Sequence, residues 1–79
     1  MNRKDIFNKV SEVFIDVLED EKLVIHEDYN ADDIDDWDSL THIMLIVETE
    51  KKFNIKFLSS EITSWKDIGA MITAIESKI

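Results

Sequence analysis

Few residues of this 79-residue chain could do chemistry: His26 and His42, a crowd of carboxylates between Asp16 and Asp38, and Ser39 where that crowd ends. The carboxylates are first tested against a calcium loop, which needs oxygen ligands at alternate positions, a sixth-position Gly and a twelfth-position Glu. Counting from Asp28, Asn30 and Asp32 fit, but Asp33 stands in place of the Gly and Ser39 in place of the Glu; counting from Asp33, the fifth position is Trp37. No calcium loop, and no other metal site, is expected. Ser39, His42 and Asp38 could be composed into a hydrolytic triad, but Ser39 and His42 lie one turn apart on one helix and nothing suggests an oxyanion pocket. His42 reads as a hydrogen-bonded, partly buried side chain, and the chain as a non-enzyme, too small for a deep substrate cavity. Ser39 is different. It sits where a long polar stretch meets a helix N-terminus, whose unpaired N–H groups and dipole favour a phosphate.

The charge is uneven. Against 18 acids there are 9 bases, a net charge of −9, and residues 16–38 hold eleven of those acids with Lys22 as their only base. Asp35, Asp36 and Asp38 close the run directly before Ser39. Such a balance excludes nucleic acid and anionic lipid, which need clustered Lys and Arg, and points to partners with basic docking patches. With 44% hydrophobic residues the chain is too apolar for an acidic disordered tail. No cysteine is present, so there is no disulfide framework and no thiol of its own. The longest apolar run, Ile43 to Val47, is far short of a membrane span, and charges interrupt the first ten residues too often for a signal segment. A single cytoplasmic domain over 1–79, working as a monomer, is the expectation.

The elements that must position Ser39 follow from periodicity. Ile6, Phe7, Val10, Val13, Phe14, Val17 and Leu18 make one apolar face of a helix from about residue 4 to 19. A long acidic connection follows, pinned by Leu23, Ile25, Tyr29 and Ile34. The next helix starts after Trp37 with Ser39 or Asp38 as cap. It carries two apolar stripes: Leu45, Ile46 and Phe53, expected in the core with His42 beside them, and Leu40, Ile43, Met44 and Val47, expected to stay partly exposed as a docking surface unless a dimer or a tight bundle buries both. Phe53 to Phe57 reads as an extended connection that plants Ile55 and Phe57 in the core, and Ser59 to Ile62 as a short helical turn. A last helix is expected to be capped by Ser64 with Asp67 completing the pair, burying Trp65, Ile68, Met71, Ile72, Ile75 and Ile79. Gly69 weakens it by about 1 kcal/mol against Ala, which suggests close packing there. The fold class is all-α, with three principal helices, a short third one and a long first loop.

Asp38-Ser39-Leu40, followed by apolar Ile43, Leu45 and Ile46, acidic Glu48 and Glu50, and then Phe53, resembles the acyl carrier proteins, over nearly the whole chain. The resemblance implies a four-helix bundle and a cytoplasmic carrier of acyl thioesters. It implies that Ser39 is the attachment point of 4′-phosphopantetheine, placed there by a phosphopantetheinyl transferase that uses magnesium and coenzyme A, with Asp38 beside the attacked phosphate. Acyl-transferring or acyl-modifying enzymes would be the other partners. The helix after the serine is electrically neutral here, Glu48 and Glu50 against Lys51 and Lys52. Docking is therefore expected to lean on Leu40, Ile43, Met44 and Val47, with Asp35 and Asp36 steering, in fatty acid, polyketide or a related specialised lipid pathway. An aminoacyl or peptidyl carrier, and an acidic interaction module that never receives the arm, are the alternatives.

Overall fold

Helix α1 spans Arg3–Leu18 in a computed structural model that describes all residues, Met1–Ile79. Asn2 caps it, accepting from the Asp5 N–H at 2.9 Å. No basic residue occupies its last turn, and it stops at Glu19, which turns left-handed at φ 54°. Its buried stripe is Ile6, Val10, Val13, Phe14 and Leu18, each worth about 1.5–3 kcal/mol when fully covered. Three further helices complete an all-helical bundle: α2 (Ser39–Phe53), α3 (Ser59–Ser64) and α4 (Ile68–Glu76). Helix α1 lies at the centre of the arrangement, packed against both α2 and α4.

The first loop, residues 19–38, is a chain of turns. Leu23, Tyr29, Asp33 and Trp37 each donate a backbone N–H to the carbonyl three residues back. Ile25 and Ile34 are buried, with Leu23 and Tyr29 half-buried against the same core. The loop is also tied to α4, where Ile68 N donates to Tyr29 O at 2.9 Å and Gly69 N to Glu27 O at 2.7 Å. Here the expected close packing is found: a Cβ on Gly69 would meet Glu27 O and Oε1 at 3.2 Å. Arg3 adds a clamp, its Nε donating to both Glu27 carboxylate oxygens at 3.1 Å while its other nitrogens reach Glu76, Thr73 and the Gly69 carbonyl.

Beyond α2 the chain turns at Asn54, left-handed at φ 55°, and Glu50 reaches over to accept from Phe57 N at 2.8 Å. Phe57 is buried and Ile55 half-buried, as an extended connection requires. The start of α4 differs from the sequence reading. Ser64 is the last residue of α3, its hydroxyl donating to Glu61 O at 2.9 Å, and Asp67 alone caps α4 by accepting from Ala70 N at 2.8 Å. Trp65 is consequently extended (ψ 122°) and lies outside the α4 face, which consists of Ile68, Met71, Ile72 and Ile75. Ile79 is exposed because α4 ends at Glu76. Two good caps competed, and the one adjoining the apolar run prevailed while the Trp65 indole turned onto Phe57, ring centroids 4.9 Å apart.

Candidate functional site

The start of α2 settles which residue is the cap. Asp38 is extended and its Oδ1 accepts from Thr41 N at 2.9 Å; Ser39 is the first helical residue. In return the Asp38 N–H donates to Thr41 Oγ1 at 2.8 Å, and the Thr41 hydroxyl has Asp36 O at 2.9 Å as an acceptor. This reciprocal pair is a capping box with threonine in the place usually held by Glu or Gln. The usual form of the pattern has Glu or Gln at this place, so the sequence alone does not single out Thr41. The Thr41 backbone N–H, supplemented by its hydroxyl, holds the Asp38 carboxyl below the usual aspartate range. Asp38 is therefore a fixed anion at neutral pH.

With Asp38 as cap, the Ser39 hydroxyl is left out of the capping network. Ser39 is exposed, at the edge of a cleft of about 520 Å³ whose walls come from the first loop, α2, α3 and the start of α4. Trp37, His42 and Trp65 form its aromatic side, with Ile62 and Met71 as aliphatic lining and Lys66 on the rim. His42 is half-buried, and its Nδ1 accepts from Trp37 Nε1 at 3.0 Å. These rings belong to a longer series: Phe14 to Trp37 at 5.1 Å, Trp37 to His42 at 5.9 Å, His42 to Trp65 at 6.3 Å, then Trp65 to Phe57. Five rings from five parts of the chain run through the molecule beside the cleft. No spacing rule in the sequence could have shown them.

The two stripes of α2 separate as their angles require. Leu45, Ile46 and Thr49 are buried, while Leu40 is 69% exposed, Ile43 60%, Met44 44% and Val47 41%. Thr49 is satisfied in the core by donating to Leu45 O at 2.6 Å. Ahead of the helix Asp35 and Asp36 are exposed, and of the eleven acids in 16–38 only Glu27 takes part in an ion pair. No group of three or more His, Cys, Asp or Glu side chains is arranged to hold a metal ion. No helix is long and apolar enough to cross a membrane.

The chain superposes on the solution NMR structure of a holo acyl carrier protein from Geobacter metallireducens with a TM-score of 0.86 and 33% identity, over 92% of this chain and 84% of that one. The chain belongs to the acyl carrier protein family. No family model and no curated protein matches the sequence, so the assignment rests on three-dimensional likeness together with that identity. The neighbour is a carrier protein and not an enzyme, and the four-helix arrangement here is that of the acyl carrier proteins.

Proposed function

We propose that this acyl carrier protein bears 4′-phosphopantetheine on Ser39 and delivers acyl intermediates to enzymes of fatty acid, polyketide or a related specialised lipid pathway. The observation that carries the reading is the exposed Ser39 hydroxyl, released from capping by Asp38 and set at the edge of a cleft. The residues present fit the group. A primary hydroxyl is available as nucleophile, and the first turn of α2 offers backbone N–H groups without intrahelical acceptors for a phosphodiester, of which Thr41 N is already taken. The bound group supplies the thiol that this cysteine-free chain lacks.

The chain's own residues then divide the work. Ser39 provides the attachment oxygen, and Asp38 holds the helix start rigid while leaving Oδ2 free towards the magnesium of a phosphopantetheinyl transferase working with coenzyme A. Leu40, Ile43, Met44 and Val47 offer an apolar docking face, and the unpaired acids ahead of it, Asp35 and Asp36 among them, attract the basic patches of acyl-transferring or acyl-modifying enzymes. The whole of 1–79 serves as one carrier domain. Intact mass after incubation with coenzyme A, magnesium and a promiscuous phosphopantetheinyl transferase tests the reading. A gain of one phosphopantetheine that disappears in Ser39→Ala is expected; an unchanged mass, or a gain that survives the substitution, overturns it.

A further inference from the structure

We propose that His42 is a positioning residue for the prosthetic arm, donating its Nε2–H to an amide carbonyl of the arm as it folds into the cleft between Trp37 and Trp65; this rests on the attachment at Ser39 proposed above. His42 follows Ser39 by three residues, so the two side chains are neighbours on one face of α2, and both line the same cleft. The Trp37 indole N–H is donated to Nδ1, which obliges a neutral ring to carry its proton on Nε2. No protein group accepts that proton. Since no fully buried side-chain nitrogen lacks a partner, Nε2 keeps access to solvent on a residue that lines the cleft.

Two indoles and one hydrogen bond orient the ring. It lies nearly parallel to Trp37 (24°) and edge-on to Trp65 (74°), so the Nε2–H is oriented before any ligand arrives. One oxygen of each polar neighbour is already engaged: Asp38 Oδ1 by Thr41, Asp67 Oδ1 by Ala70 N and Asn30 Oδ1 by Asp32 N. Beside its apolar wall of Trp37, Ile62, Trp65 and Met71 the cleft offers donors from His42 and from Lys66 on the rim. That combination suits an uncharged ligand rich in acceptors, and the two amide carbonyls of a pantetheine chain meet it. A preorganised donor loses little entropy on binding, which is what a carrier needs to park a flexible arm and release it again.

Long-range ¹H–¹⁵N NMR of the imidazole, on matched samples before and after loading by the transferase, tests this alongside intact mass. The unloaded protein should show the Nε2–H tautomer. Loading should move the Nε2 resonance and slow exchange of its proton with water by about 3–10-fold, the factor of one net hydrogen bond. In loaded His42→Phe, which keeps the ring packing without the donor, the arm amide signals should move to those of free pantetheine; His42→Gln, which retains an N–H donor, should restore part of the difference. A mass gain at Ser39 with unchanged His42 ring signals and exchange overturns the positioning role alone. The absence of a mass gain overturns the attachment and this inference together. Should His42→Phe fail to fold, the wild-type comparison and His42→Gln still decide.

Discussion

Asp38 and Thr41 close a loop and open a helix with the same four atoms, and the charge on Asp38 is what makes the arrangement hold. Its carboxyl titrates below the usual aspartate range in the folded protein because the Thr41 N–H binds the anion. A depressed folded value means that the stabilisation is complete above the unfolded aspartate range and is lost as pH falls through the folded one. Asp38→Ala should therefore lower the thermal midpoint by a few degrees at neutral pH, and the gap from wild type should close on acidification; a gap that stays constant into strong acid would contradict the assignment. The same geometry keeps Ser39 free. Asp38→Ala should also slow loading at Ser39, since the cap would pass to the serine hydroxyl, and transferase progress curves followed by mass measure it.

Gly69 shows how one element is fastened to another. Its N–H holds Glu27 O at 2.7 Å, and a methyl group there would press on Glu27 O and Oε1 at 3.2 Å. On propensity alone Gly69→Ala would gain about 1 kcal/mol, but Glu27 O cannot withdraw without stretching its bond, so a net loss of about 1 kcal/mol is expected. Urea unfolding decides the sign; a stabilised variant would refute the argument. The helices themselves were legible because a 3.6-residue period needs only local sequence, which is why α1 and the two stripes of α2 could be placed. The start of α4 was not, since Ser64 and Asp67 are both competent caps, and Trp65 packs on Phe57 instead of joining the α4 face. Ser39 stood out through its neighbours in sequence. The cleft did not, because Trp37, Ile62, Trp65 and Met71 meet only after the first loop has been drawn onto α4.

At the scale of the whole molecule the proposed docking assigns the charge and the apolar face to different parts of an encounter. The acids of 16–38 are almost all unpaired and therefore project a field, screened over about 8 Å at physiological salt. Stopped-flow association with a basic partner such as the transferase should slow about tenfold on raising salt from low to about 0.5 M, with dissociation little changed. Asp35→Asn with Asp36→Asn should reproduce part of that loss. Met44→Ser, at the middle of the exposed stripe, should instead speed dissociation by about threefold to tenfold, because truncating an apolar contact acts on residence time. An effect of Met44→Ser confined to association would argue against the docking face. The series of rings beside the cleft has a practical consequence as well. Both tryptophans of the chain border the cleft and flank His42, with none elsewhere. Intrinsic fluorescence of the unlabelled protein is therefore a local optical gauge, whose emission should report whether the cleft is filled well before it reports whether the protein is folded.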